Sequence, residues 1–451
     1  MTQQPEESQQ IELRLVVIDP TSMRILTTSA TAGGPLLPRI SIPAATRLAA
    51  VLVKAIEERY GLQTIQLALL PETKEKSHCA VHEITRQFET GSTPSPFLTI
   101  GEFNDVELSE AERAVVLQIM SGQPNELGRF ARLGWIDELL SRIGIDRSQN
   151  PEPVIHQLNQ GLDFCLLNLK DAGGRNLWFK AVGEPNTREY QLTLELTRRF
   201  PQYLPRLVAT ISEWNGWVAE SVEGVPLNES ASLGDCKQAL TALATMQQAT
   251  TRDADSLLAL GAKDWTYARI ASLSEPFFED ARPAMKAQTS TRSKPLTDIE
   301  LDELQSDVGT TLREFMEPDI PDTLVHGDIG HGNIIATADG PVFLDWAETY
   351  IGHPFLCAEH LLADLARSHP TFAKEQAHLR SFYVDHWRTC ARAKDLETIA
   401  ALAPVVAAFV YALVAWEANQ HRTNPNAAWP LVRSMLRRTK RELDNASEVI
   451  R

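Results

Sequence analysis

Two carboxylates and one carboxamide stand out by their spacing. The stretch Thr323-Leu324-Val325-His326-Gly327-Asp328 is followed by Ile329-Gly330-His331-Gly332-Asn333. After an Asp339-Gly340 turn the chain continues Val342-Phe343-Leu344-Asp345-Trp346. An apolar run leads into Asp328, Asn333 comes five residues later, and a second apolar run delivers Asp345. Short apolar runs bounded by turn residues read as strands. The spacing therefore brings Asp328, Asn333 and Asp345 to the ends of neighbouring strands. Phosphoryl transfer needs such a set. Hard oxygens hold Mg2+ against nucleotide phosphates, and a separate carboxylate accepts a hydrogen bond from the attacking hydroxyl and orients it.

The His-Gly-Asp-x-x-x-x-Asn loop followed by Asp-Trp resembles the aminoglycoside phosphotransferase and choline kinase family, over about residues 150–451. The resemblance implies a two-lobed, protein-kinase-like fold with Asp328 as catalytic base and Asn333 and Asp345 as magnesium ligands. It makes His326 a structural brace, Mg2+ the cofactor, and ATP or GTP the phosphoryl donor. The same template requires a strand lysine on the phosphates, paired to a helix glutamate. Lys180, in Leu177–Val182, and Glu189, in the next helix, fit in order and distance, with Glu195 as fallback partner. Asn159-Gln160-Gly161-Leu162-Asp163 stands where a phosphate-covering loop would lie. Its single Gly161 departs from the Gly-x-Gly-x-x-Gly of protein kinases and suits a plain hairpin equally. Trp178 replaces the small residue expected two positions before the lysine. It shares a strand face with Lys180, would narrow the base pocket, and leaves ATP and GTP both open. Trp217–Val222 resembles the segment whose backbone meets the purine edge, with Glu220 and Val222 as the contacts.

The elements that must position these groups are legible by pattern. Val154–Leu158, Phe164–Leu169 and Leu177–Val182 read as strands, with Gly173-Gly174 turning the second hairpin. Thr187–Phe200 reads as a helix, Leu207–Ile211 and Trp217–Val222 as further strands, and the chain is mostly helical after residue 230. Ser274–Asp298, rich in Pro, Ser, Thr and charge, reads as a mobile excursion. Ile399–Trp416 has 18 residues without a charge, at the lower limit for a membrane span. Its alanines and Pro404 point to a buried core helix instead. Glu348, Glu359, Asp364 and Glu417 follow Asp345, and an amine-bearing substrate would need such groups. Glu348 and Glu417 are the candidates chosen.

The first 145 residues read as an α+β domain. It has strands around Asp19-Pro20, a helix over Ala44–Tyr60 closed by Gly61, a strand at Thr64–Leu70, and helices at Leu108–Met120 and Gly128–Ile143. In a gapless register, Leu37-Pro38 and Ile40 through Leu62 resemble the Nudix hydrolase motif. Lys54, Ile56, Glu58, Gly61 and Leu62 agree or nearly agree. Ile40, Thr46, Ala55 and Arg59 replace its glycine and three of its glutamates, which implies a degenerate domain without the metal cluster that hydrolysis needs.

The expected architecture is therefore α+β: a Nudix-like domain at 1–145, a β-rich lobe at 150–224 and an α-helical lobe at 225–451. The expected reaction moves the γ-phosphate of ATP or GTP to a hydroxyl of an aminoglycoside, amino sugar, sugar or choline-like alcohol. The alternative is a catalytically silent nucleotide-binding regulator, which the intact Lys180, Asp328, Asn333 and Asp345 oppose. A formal net charge of −16 argues against a nucleic-acid partner. Five scattered cysteines without a close pair, and a polar start without a signal pattern, point to the cytoplasm. No membrane partner is expected, and the first domain could serve a homodimer.

Overall fold

A computed structural model describes residues 10–28, 36–43, 48–70, 78–87, 97–99, 108–146, 153–230, 232–318, 320–420 and 428–450. The chain divides into two compact units. One comprises Met1–Tyr190 with Arg206–Ser221, the other Gln191–Pro205 with Val222–Arg451.

The first unit opens with β1 (Gln10–Asp19), β2 (Arg24–Leu26), β3 (Arg39–Pro43), α1 (Leu48–Tyr60), β4 (Leu62–Leu70), β5 (His78–Gln87) and β6 (Phe97–Thr99). The sheet order is β4-β5-β1-β2-β6, with β3 also on β1. β1 runs parallel to β5 and antiparallel to β2 and β3. It is apolar from Leu15 to Ile18 because both faces are covered. Leu13, Leu15 and Val17 pack with Leu52 and Ile56 of α1, whereas Val16 and Ile18 belong to the core on the other side. Gly61, at φ 65°, closes α1 as expected, its N–H donating to the Glu57 carbonyl. α2 (Glu110–Met120) starts with a Ser109–Glu112 capping box. Helix α3 is only Trp135–Arg142, shorter than the expected Gly128–Ile143. Gly128 and Gly134 adopt φ of 102° and 78°, so the backbone turns there instead of winding.

The second sheet follows in the same unit: β7 (Val154–Gln160), β8 (Cys165–Lys170), β9 (Asn176–Ala181), β10 (Leu207–Ile211) and β11 (Gly216–Glu220), while α4 (Arg188–Arg199) begins in this unit and lies from Gln191 onward in the other. Its antiparallel order is β10-β11-β9-β8-β7. The two sheets share one core. Phe130 and Trp135 interlock with Phe179 of β9 and Trp214, with ring centroids 4.9–6.4 Å apart. The buried Gln157 side chain of β7 imitates a ladder pair on β4. Its Oε1 accepts from the Gln66 N–H at 2.6 Å and its Nε2 donates to the Gln66 carbonyl at 3.1 Å.

Thr46, part of the Nudix register, lies outside the described residues. Glu58, the surviving carboxylate of that register, is exposed on α1 and 3.7 Å from Lys54. Arg59 donates to the Arg39 carbonyl. No group of three or more His, Cys, Asp or Glu placed to hold a metal occurs among the described residues.

The second unit holds β12 (Val225–Pro226), α5 (Leu227–Ser230), α6 (Leu233–Ala249), α7 (Ala254–Ala259), β13 (Lys263–Asp264), α8 (Tyr267–Lys286) and α9 (Asp298–Met316). Then come β14 (Thr323–Val325), β15 (Ile334–Thr337), β16 (Gly340–Phe343), β17 (Tyr350–Gly352), α10 (Pro354–Ser368), α11 (Pro370–Asp385), α12 (Ala393–Gln420) and α13 (Trp429–Ile450). Two small sheets, β12-β15-β16 and β13-β17-β14, carry the polar loops. Ser274–Asp298 corrects the expected mobile excursion. Most of it is α8, which tolerates Pro276 and Pro283 because Phe277, Phe278, Ala281 and Met285 bury one face. α12 is long and apolar enough to cross a membrane. Its Ile399, Leu402, Val406, Phe409 and Leu413 lie in the core of this unit, as expected of a core helix.

Candidate active site

The second unit builds the polar loop from two short strands and a buried histidine. β14 is fully buried and pairs with β17. His326 follows, wholly buried, and its Nε2–H donates to the Leu344 carbonyl at 2.8 Å. Its ring lies on Trp346 with centroids 4.4 Å apart. The Leu344 N–H in turn donates to the Asn333 carbonyl at 2.8 Å. One imidazole thus joins the strand end before Asp328 to the segment before Asp345, the bracing expected of it. Gly327 has φ 79°, and a Cβ there would meet the Glu348 carbonyl oxygen at 2.0 Å. Only glycine meets both demands.

Asp328, Asn333 and Asp345 are brought together by this wiring. The Asn333 Nδ2 donates to the Asp328 carbonyl at 2.9 Å and lies 3.4 Å from the Asp328 Oδ2. With the amide nitrogen so engaged, its Oδ1 is the side-chain atom that could hold a cation. Asp345 is exposed at φ 61°, a left-handed conformation uncommon for a non-glycine residue and often kept at functional sites. Partial burial raises the Asp328 carboxyl above its ordinary range, the charges of Asp345 and Glu348 add to this, and the Asn333 hydrogen bond opposes it. Converging negative charge of this kind would favour a divalent cation, and the oxygens of Asn333 and Asp345 are of the hard type that Mg2+ takes.

Asp364 of α10 has a different duty from the amine recognition considered for it. Its Oδ2 accepts from the His331 N–H at 2.8 Å and from the His331 Nδ1–H at 2.5 Å, while Arg367 donates to its Oδ1 at 3.0 Å. It pins the turn that presents Asn333. Sequence spacing held no signal for this, because the partners are 33 residues apart. Glu359 is buried against Arg380, with an Nη2–Oε2 distance of 2.9 Å. Glu348 pairs with Lys263, and Glu417 with Arg269 of α8. The two carboxylates considered as substrate ligands are therefore each paired with a cation.

In the first unit, Lys180 of β9 donates to the Glu189 Oε1 at 2.6 Å, with Glu189 buried. Glu195 instead binds Arg198 and Arg199. The Trp178 Nε1 donates to the Ser221 hydroxyl at 3.3 Å. The Gly161 N–H donates to the Phe164 carbonyl, closing a hairpin in which a Cβ would fit at 3.5 Å from its nearest neighbour. Nothing in that geometry demands glycine at 161. The Glu220 carboxylate pairs with Arg206, and its backbone N–H donates to the Arg206 carbonyl. That N–H is spent within the sheet rather than offered to a purine. Val222 lies just past β11, where the second unit resumes.

Residues 184–402 match the family model described as the phosphotransferase enzyme family. No curated protein sequence matches the chain. Among solved structures it is similar to an ethanolamine kinase of Plasmodium vivax, at 13% identity and TM-score 0.47, over 72% of this chain and 94% of that one. It is also similar to the macrolide 2'-phosphotransferase MphH of Brachybacterium faecium, at 16% identity and TM-score 0.41, over 67% and 97%. A third is an aminoglycoside phosphotransferase of Alicyclobacillus acidocaldarius, at 17% identity and TM-score 0.41, over 63% and 90%. The loop from His326 to Asp345 lies wholly within the span that matches the family model.

Proposed function

We propose that the protein moves the γ-phosphoryl group of ATP or GTP to a hydroxyl of a small molecule. One observation carries this. Asn333 turns its amide nitrogen onto the Asp328 backbone, Asp328 is exposed, and the Asp345 charge acts on the Asp328 carboxyl. Among the described residues no basic side chain forms an ion pair with Asp328. It keeps the proton-accepting oxygens that an attacking hydroxyl needs, and its raised carboxyl makes it a better acceptor. Asn333 and Asp345 would hold Mg2+, which neutralises phosphate charge when bound. Lys180, oriented by Glu189, offers a cation to the nucleotide phosphates.

The ion pairs on Glu348, Glu359, Asp364 and Glu417 favour an acceptor without several amines, a sugar or other neutral alcohol over a polycation. Five free cysteines, four of them buried, suit a reducing cytoplasmic setting. The test is a screen of sugars, polyols, amino sugars, aminoglycosides and choline-like alcohols for ADP or GDP release. Asp328→Ala should abolish transfer while nucleotide binding persists. Asp345→Asn should weaken nucleotide binding measured calorimetrically with Mg2+ present. Wild-type turnover by Asp328→Ala would end the base assignment, and unchanged affinity in Asp345→Asn would end the ligand assignment.

A further inference from the structure

The hairpin between β7 and β8 is held from outside its own sheet. Asp163, near its tip, accepts from the Arg129 backbone N–H at 3.0 Å and from the Arg129 Nε–H at 2.9 Å. The same guanidinium donates through Nη1 to the Glu213 carbonyl at 2.8 Å. Next to Arg129, Gly128 passes so close to the hairpin that a Cβ there would lie 1.6 Å from the Leu162 carbonyl oxygen. On the opposite side, a Cβ on Gly183 would meet the Asp163 Cβ at 2.6 Å. Gly183 is three residues beyond Lys180. The hairpin also opens into β8 where Cys165 pairs with Ala181, one position from the Leu166–Lys180 pair. Asp163 is thus wedged between a turn of the first domain and the end of the lysine strand. Burial would raise its carboxyl, but the two Arg129 hydrogen bonds outweigh this and hold it below the ordinary range.

We infer that the first domain is a working part of the nucleotide site: its Gly128-Arg129 turn clamps the phosphate-side hairpin, and Arg129 is a positioning residue for nucleoside triphosphate binding. The inference rests on the proposed kinase reading, in which this hairpin faces the phosphates. A hairpin tip left free would cost ordering entropy on binding. Fixing it in advance lowers that cost. Pairing Asp163 with Arg129 also offsets a negative charge that would repel phosphate.

The experiment uses the full chain, with Mg2+–ATP and Mg2+–GTP as probes in calorimetry and in steady-state kinetics on an acceptor from the screen. Arg129→Ala, Asp163→Ala and Lys180→Ala are compared with wild type. The clamp predicts that Arg129→Ala and Asp163→Ala each raise the nucleotide KM and Kd about tenfold, a loss of about 1.4 kcal/mol, with kcat nearly unchanged. Arg129→Lys should restore part of the affinity. If Asp163→Ala tightens binding, only charge matters and the clamp is refuted. If Arg129→Ala and Asp163→Ala lower thermal stability but leave the nucleotide KM untouched, the contact is merely structural and the inference falls. Lys180→Ala separates the two levels. If it weakens nucleotide binding while the clamp variants do not, the clamp alone fails. If all three leave binding unchanged, the kinase reading of this sheet fails with it.

Discussion

Gly327→Ala tests the loop geometry most sharply. In the folded chain Gly327 has φ 79°, and an added Cβ would stand 2.0 Å from the Glu348 carbonyl oxygen and 2.7 Å from its carbonyl carbon. The left-handed conformation alone costs an L-residue roughly 1–2 kcal/mol. The overlap is with backbone, so no side chain can swing aside. The Asp328 loop must move by about 1 Å to restore normal contact distance, and a displacement of that size costs roughly 100-fold in rate. Gly332, in the same loop, has open space where a Cβ would stand and no left-handed φ. Gly327→Ala should therefore lower kcat about 100-fold, whereas Gly332→Ala stays within a few-fold of wild type, both measured by nucleoside diphosphate release. Thermal unfolding of each variant separates misplacement from collapse. Wild-type kcat in Gly327→Ala, or equal losses in both variants, would refute the claim that this contact sets Asp328.

Other outcomes follow from the same contacts. Gln157→Ala strips the Gln66 N–H and carbonyl of their partners, each costing about 1–3 kcal/mol when buried and unpaired; urea unfolding should show a loss of at least about 2 kcal/mol. His82 and His353 are fully buried, which lowers both from 6.5 to about 3. The unfolded chain takes up those protons first, so their contribution is complete above pH 6.5 and is lost as pH falls toward 3, about 2 kcal/mol per histidine at about pH 5. Tm should drop steadily across that window and drop less in His353→Gln; a flat profile would contradict their burial as neutral rings. The full chain should not hydrolyse nucleoside diphosphate derivatives, because Glu58 stands exposed beside Lys54; Mg2+-dependent release lost on Glu58→Gln would show the opposite.

Local chemistry was readable from the residues in order. Asp328, Asn333 and Asp345 occupy one short stretch, so strand and turn signals alone could bring them together. Lys180 and Glu189 are nine residues apart, across one turn from strand to helix, and their pairing was equally accessible. The capping of α1 by Gly61 needs only a left-handed residue, which glycine supplies. Pro276 and Pro283 misled because proline disfavours a helix locally, while burial of Phe277 and Phe278 decides the outcome nonlocally.

What the order of residues left open was fixed by partners distant in the chain. Asp364 looks like any helix-surface carboxylate until α10 packs and turns it onto His331. Glu348 and Glu417 looked available to an amine, and only packing brings Lys263 and Arg269 to pair with them. Gln157 pairs with a backbone 91 residues away, and Arg129 reaches Asp163 across 34. Spacing patterns encode contacts within a helix turn or a hairpin, because there the backbone geometry is known in advance. Contacts between a first-domain turn and a second-sheet hairpin depend on how two apolar sheet faces close into one core around Phe130, Trp135, Phe179 and Trp214. That closure, which no local pattern announces, joins the first 145 residues to the strand that carries Lys180.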